Sequence, residues 1–260
     1  NLHMDTISMD IVSICKFIKM SKLIFSVLIS VYYNESISYF KKSLDSILYQ
    51  TLLPAEVVLV KDGILTDDLN CIVKEYSQKY PLKVISLPVN QGLGKALNEG
   101  LKHCSYDLVA RMDTDDIAKP DRFEKQIRVF QEHPELDVVG AWIDEFEETT
   151  SNIISTRKLP EVHDDICQFA KKRNPENHPV IMFRKQAVLA AGGYQHFPLF
   201  EDYYLWIRML QNGAKFYNIQ ESLLYFRFSS AMFKRRGGLK YVTTELRFQN
   251  LLRNLEFITF

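Results

Sequence analysis

The sequence predicts an α/β fold, a Rossmann-like and mostly parallel central sheet flanked by helices, and three observations predict it. Apolar, β-rich runs such as LIFSVLISV at Leu23–Val31 lack the alternation of a half-exposed strand, so they belong in a sheet covered on both faces. Stretches with helical spacing of apolar residues separate these runs, and strands that alternate with helices pair in parallel through right-handed crossovers. Polar clusters then follow the ends of three strands, where sheets of this kind place their ligands.

Leu23–Val31 is the first strand, and Ser36–Gln50 follows as a helix with Ile37, Phe40, Leu44, Ile47 and Leu48 on one face. Glu56–Lys61 (EVVLVK) is the second strand, and Thr66–Tyr80 a helix that starts at Thr66-Asp67-Asp68. Leu82–Leu87 is the third strand; the turn Asn90-Gln91-Gly92-Leu93-Gly94 leads into a helix over Lys95–His103. Tyr106–Met112 is the fourth strand, and Asp121–Glu132 a helix with Pro120 near its start. The second half is less regular. It reads as a strand at Val138–Ile143, a helix at Val162–Lys171, a short strand at Pro179–Phe183, a Gly192-Gly193 turn and a helix at Glu201–Asn212 ended by Gly213.

The chain has 260 residues, 47% hydrophobic and 25% charged, an ordinary globular composition. Lys+Arg and Asp+Glu are 32 each, so no global field recruits nucleic acid, and any electrostatic function has to be local. The four cysteines, Cys15, Cys71, Cys104 and Cys167, are scattered without CxxC spacing; a disulfide framework or zinc site is not expected, and a reducing cytoplasm fits. No run of about 18 uncharged apolar residues predicts a membrane span. Residues 1–20 contain three internal methionines and lack a signal peptide's order, and they read as a tag or dispensable start. Residues 21–230 then form the domain, with a division near residue 118, and residues 231–260 an amphipathic C-terminal extension.

Asp113-Thr114-Asp115-Asp116, with Asp121 close behind, poses the main question of the sequence. One reading is a solvated acidic turn with helix-capping aspartates. The other is a divalent cation site holding something anionic. Hard oxygen ligands with no nearby His or Cys suit Mg²⁺ or Mn²⁺, which bind phosphate oxygens together with one or two carboxylates. Arg111, in the strand immediately before, makes an idle turn less natural. Asp62 and Asn90 also follow strand ends, so three polar clusters converge on one crevice.

Five stretches together resemble family-2 glycosyltransferases of the GT-A fold: SVLISVYYNE (Ser26–Glu35), VVLVKDG (Val57–Gly63), NQGLGKALNEG (Asn90–Gly100), RMDTDDIAKPDR (Arg111–Arg122) and FEDYYLWIR (Phe200–Arg208). They occur in the family's order and approximate spacing across Leu23 to Ser230. The resemblance implies a nucleotide-sugar-dependent inverting transferase. By it, Val31 and Tyr33 line the nucleobase pocket with Glu35 beside them, and Asp62 accepts from the base imide, which implies a UDP-linked donor. Taken alone, Asp62 reads by default as a turn residue before Gly63. Asn90 and Arg111 join the donor contacts. Asp113 and Asp115 form the DxD pair, Asp115 as metal ligand and Asp113 nearer ribose or a metal-bound water, while Asp116 braces the following helix. Glu201-Asp202 corresponds to the ED motif, with Glu201 against substrate and Asp202 the general base. Both are also favourable acids at a helix start, and one position serves both ends.

Three departures qualify the match. Lys61 stands where an aspartate usually precedes Asp62; no QxxRW follows the helix, which favours single addition over processive polymerisation; and no histidine lies near Arg227-Phe228-Ser229-Ser230 to complete a metal site. His178 fits either an acceptor or phosphate contact or a structural role, and Lys95 either a phosphate contact or a surface lysine. A sugar-phosphate nucleotidyltransferase would need a glycine-rich basic loop where Tyr32-Tyr33-Asn34-Glu35 stands, and a dinucleotide dehydrogenase would need GxGxxG there. A catalytically silent nucleotide-sugar-binding subunit would have no use for both the DxD pair and Asp202. The resemblance reaches furthest to bacterial exopolysaccharide, capsule and O-antigen enzymes. It implies a saccharide acceptor on a polyprenyl-diphosphate lipid and work at the inner face of the plasma membrane. The tail supports that placement: Lys234-Arg235-Arg236, Lys240, Arg247 and Arg253 interleave with Leu239, Val242, Leu246, Leu252, Leu255 and Ile258. Such a stretch either lies in an anionic membrane interface or packs on the domain as a C-terminal helix.

Overall fold

The computed structural model describes residues 23–228 and 238–258. Nine strands form one sheet: β1 (Phe25–Val31), β2 (Glu56–Lys61), β3 (Leu82–Ser86), β4 (Leu108–Met112), β5 (Ile117–Ala118), β6 (Val138–Phe146), β7 (Ile153–Arg157), β8 (Met182–Arg184) and β9 (Phe216–Arg227). Eight helices are described: α1 (Ile37–Leu48), α2 (Asp67–Lys79), α3 (Leu93–His103), α4 (Arg122–Glu132), α5 (His163–Ala170), α6 (Lys185–Ala190), α7 (Glu201–Gln211) and α8 (Leu239–Asn254). The strand order is β3-β2-β1-β4-β8-β6-β9-β5, with β7 added on β6.

The apolar runs of the first half are explained by burial on both faces. Along β1, Phe25, Val27, Ile29 and Val31 enter one core with Phe40, Leu44 and Ile47 of α1. Leu28 points the other way, into a second core with Ala96, Leu97 and Leu101 of α3. β2 divides in the same manner, Val57 and Leu59 to the first core and Val58 and Val60 to the second. β1, β2, β3 and β4 pair only in parallel with one another. β1 lies between β2 and β4, so strand order reverses there and the crevice beyond the ends of β1 and β4 is the expected ligand site.

The second half mixes directions. β8 runs antiparallel to β4 and β6, β7 forms a hairpin-like pair with β6, and β9 runs parallel to β6. Only β6 and β7 are joined by a short connection, as an antiparallel pair allows. β5, β7, β9 and α6 were not expected from the sequence. The expected strand over Pro179–Phe183 begins instead as a 3₁₀ turn at His178–Val180 and becomes β8 only from Met182.

α8 packs on the domain. Its Phe248 and Leu252 are fully buried with Tyr203 and Ile207 of α7 and with Ala170. Val242 and Leu246 on its other face are exposed. Lys234-Arg235-Arg236 and residues 1–20 lie outside the described residues, as do the side chains of Leu239 and Lys240. Among the described residues no helix is long and apolar enough to cross a membrane.

Candidate active site

The donor side starts at the ends of β1 and β2. Val31 is fully buried against the α1 core, and its carbonyl accepts the Asp62 N–H at 2.8 Å. Its side chain therefore belongs to the core at the end of β1. Tyr33 is exposed beside it. Asp62 is buried, and its carboxylate fastens the next loop: Oδ1 accepts from Gln91 N–H at 2.7 Å and Oδ2 from Gly92 N–H at 3.0 Å. Asn90 Nδ2 donates back to the Asp62 carbonyl at 3.3 Å. Gly63 makes this approach possible: its φ is 88°, and a Cβ there would lie 2.7 Å from Asn90 N. These bonds are those of the turn reading of Asp62.

The acidic loop after β4 is held by α1, where Ser43 Oγ donates to the Asp113 carbonyl at 2.8 Å and Ser46 Oγ accepts Ala118 N–H at 3.0 Å. Glu35 accepts from the Thr114 hydroxyl, which joins the β1 loop to the acidic loop. Asp113, Asp115 and Asp116 each present an oxygen within 4.8 Å of the others. Burial, then the Asp113 and Glu35 carboxylates, push the Asp115 carboxyl up to about 7. Burial, then Asp115 and Asp113, push Asp116 well above the usual range. Asp116 Oδ1 accepts the Arg227 N–H at 2.8 Å, while Oδ2 is buried without a partner among the described residues. Asp116 therefore braces the end of β9 through this bond, and its charge also favours that of Arg122 at the start of α4, the helix the sequence predicts it to brace. Arg227 was missed. Its Nε donates to the Asp115 carbonyl at 2.9 Å, and its guanidinium lies 3.8 Å from the Tyr39 ring centre.

Two buried arginines stand behind the cluster. Arg111 pairs with Asp113; burial opposes its charge, and the Asp113 carboxylate more than offsets that. Burial, then the neighbouring Arg111, push the Arg122 guanidinium down to about 9. Arg122 reaches only neutral acceptors, the Arg111 carbonyl at 2.6 Å and Gln126 Oε1 at 3.1 Å among them. Three crowded carboxylates, one of them with a buried and unpartnered oxygen, are a donor set that fits a divalent cation. Burial first and neighbouring carboxylates second raise the Asp115 and Asp116 carboxyls, and a bound cation would offset both effects.

The opposite wall is built from loops. Glu201 and Asp202 occupy the first turn of α7, as expected, and burial raises the Glu201 carboxyl. Asp202 Oδ2 accepts from Asn174 Nδ2 at 2.7 Å. Burial pushes the Tyr194 hydroxyl well above its ordinary range, with smaller effects from the charges of Arg111, Asp202 and Asp113. Its main chain is clamped by Asn98, which accepts Tyr194 N–H at 2.8 Å and donates to its carbonyl at 2.7 Å. His178 Nε2 lies 2.9 Å from the Tyr194 hydroxyl and its ring 6.0 Å from that of Trp206. Burial, then Arg111, hold the His178 imidazole well below its ordinary range. Lys95 is exposed on α3. Asn174, Asn98 and Tyr194 escaped the sequence reading; the only signal was the Gly192-Gly193 turn before Tyr194.

Comparison with known proteins places the chain in a family and a fold. Residues 26–193 match the family described as Glycosyl transferase family 2. Amylovoran biosynthesis glycosyltransferase AmsE of Erwinia amylovora is 42% identical over 227 residues, 87% of this chain and 85% of that protein. The UDP-Gal:alpha-D-GlcNAc-diphosphoundecaprenol beta-1,3-galactosyltransferase of Escherichia coli is 36% identical over 236 residues, 91% of this chain and 86% of that protein. Among solved structures, S. aureus TarS 1-349 in complex with UDP-GlcNAc superposes with a TM-score of 0.66 and 19% identity over 85% of this chain and 64% of that one, which shows a common fold.

Proposed function

This chain belongs to glycosyl transferase family 2, and from that membership and the site geometry we propose that it is a metal-dependent inverting enzyme of bacterial surface polysaccharide synthesis. The donor is a UDP-linked hexose or N-acetylhexosamine, and the acceptor is a saccharide on a polyprenyl-diphosphate lipid. The observation that carries the reading is the crowded, cation-fitting trio Asp113, Asp115 and Asp116 after β4, and Asp202, held by Asn174 at the start of α7, supports the placing of a base.

Asp115 and Asp113 would hold Mn²⁺ or Mg²⁺, with the Asp116 carboxylate beside them. When bound, the ion neutralises charge that develops on the diphosphate leaving group. On the donor side, each Asp62 oxygen accepts one loop N–H and keeps a second lone pair for the uracil imide. Glu35 and Tyr33 flank the base, while Asn90 and Arg111 complete the donor wall. Glu201 contacts substrate beside Asp202. The Asp202 carboxylate takes the proton of the acceptor hydroxyl as its oxygen bonds to the anomeric carbon. The bond from that carbon to the diphosphate oxygen breaks on the opposite face, and the electron pair leaves with UDP. Orienting both partners in one crevice converts a bimolecular encounter into a local reaction.

The lipid-linked acceptor is supported by the named activity of the E. coli relative and by two surface features. Lys171, Lys172 and Arg173 are exposed immediately before Asn174, where an acceptor diphosphate would lie. The exposed Val242 and Leu246 of α8 offer an apolar face for peripheral contact with an anionic membrane on its cytoplasmic side. The test is transfer from UDP-galactose, UDP-GlcNAc and related donors to a GlcNAc-diphosphoryl lipid, with Mn²⁺ and with EDTA. Metal-dependent product with inverted anomeric configuration supports the proposal, and transfer that survives EDTA or retains configuration rejects it.

A further inference from the structure

Among the described residues, the Asp202 carboxylate has a single side-chain partner, the Asn174 amide, at 2.7 Å from Oδ2. Nothing in the family match extends to a role for Asn174. Its amide is held at both ends: Oδ1 accepts the Glu176 N–H at 3.2 Å, which leaves only the NH₂ end to face Asp202. Its carbonyl accepts from Arg157 Nη2 at 3.3 Å. The loop is pinned on either side, by Tyr203 Oη donating to the Ala170 carbonyl at 2.6 Å and by Asn177 Nδ2 donating to the Ala141 carbonyl at 2.9 Å. Glu176 and Asn177 are buried, so the segment has little freedom to turn away.

We propose that Asn174 is a positioning residue for Asp202. Its amide occupies Oδ2, fixes the carboxylate rotamer, and leaves Oδ1, which makes no hydrogen bond among the described residues, to face the attacking hydroxyl. An amide donor suits this task because it cannot take up a proton and compete as a base. The inference rests on Asp202 being the general base of the proposed reaction.

The experiment compares Asn174→Ala, Asn174→Asp, Asp202→Asn and the Asn174→Ala/Asp202→Asn pair, using the donor and acceptor that the wild-type enzyme turns over. Asn174→Ala should lower kcat by roughly 10- to 100-fold, the scale of a misplaced reacting group, with UDP–Mn²⁺ affinity unchanged. Asn174→Asp is nearly isosteric and keeps the acceptor for Glu176 N–H, so it guards against a folding defect in the alanine variant. It replaces the donor by a carboxylate and should lose at least as much kcat. In the Asp202→Asn background, Asn174→Ala should cost nothing further, because residues that act as a unit are not additive. Wild-type kcat in Asn174→Asp, or an equal fold-loss from Asn174→Ala in both backgrounds, would show a loop with a structural role only and overturn the proposal. A near wild-type rate in Asp202→Asn rejects the base assignment itself, and the positioning role with it.

Discussion

Replacing Asp115 by asparagine should stabilise the metal-free protein at alkaline pH. Burial, with Asp113 and Glu35 close by, lifts this carboxyl from 3.8 to about 7 in the folded state. A group whose folded pKa is raised contributes stability that is present below its unfolded pKa and lost as pH rises through the folded one. The cost of ionising Asp115 therefore grows from about pH 4 and is complete above about pH 7. At ~1.4 kcal/mol per pH unit, roughly 3 kcal/mol of it develops between about pH 4.5 and about pH 8. Asparagine cannot ionise and escapes that cost. For a domain of this size ~1 kcal/mol moves Tm by about 2–4 °C, so the Tm of the variant relative to wild type should rise by about 6–12 °C across that range. Differential scanning calorimetry in EDTA at several pH values measures it. Adding Mn²⁺ at about pH 8 should then raise the wild-type Tm and leave the variant nearly unchanged, since ligand stabilisation follows affinity. A Tm difference that stays constant with pH would refute the crowded-carboxylate reasoning.

Three further outcomes are expected. Calorimetric titration should find UDP binding at least about tenfold tighter with Mn²⁺ than with EDTA, with that dependence lost in Asp115→Ala; equal affinities would exclude the metal assignment. Phe248→Ala should destabilise the fold by about 3–5 kcal/mol in denaturant unfolding, because its ring lies 4.7 Å from that of Tyr203 and 5.0 Å from that of Phe200; a loss under about 1 kcal/mol would mean that α8 does not dock there. The full chain should float with anionic vesicles, and Val242→Glu/Leu246→Glu should weaken that binding; flotation indifferent to the double substitution would assign the contact to another surface.

What the sequence disclosed follows from how each part is built. β1 and β2 were legible because both faces are covered, which requires unbroken apolar runs, and the aspartates were legible because Asp62 and Asp113 sit where strands end. β9 was not legible. Asn218, Gln220 and Glu221 interrupt its apolar pattern, and register shifts near Trp142 break its pairing with β6, so no clean period of two survives. Missing β9 hid Arg227, and with it the hydrogen-bond partner of Asp116. The acceptor wall was hidden for a different reason. Asn174 meets Asp202 across 28 residues, and Asn98 meets Tyr194 across 96, contacts that only tertiary packing creates. The start of α7 was visible as Glu201-Asp202, but what orients the carboxylate was not.

The most direct test of the account is Asp202→Asn, assayed for transfer and for UDP–Mn²⁺ binding on the same preparation. The substitution keeps the side chain's size and removes its capacity to accept the hydroxyl proton. Transfer should fall by ~10²- to 10⁴-fold, the usual contribution of a placed general base, while UDP–Mn²⁺ affinity stays at the wild-type value because Asp62, Asp113 and Asp115 are untouched. Transfer near the wild-type rate, or a loss of UDP–Mn²⁺ binding that accounts for the fall, would contradict the division of the crevice into a donor wall and a catalytic acceptor wall.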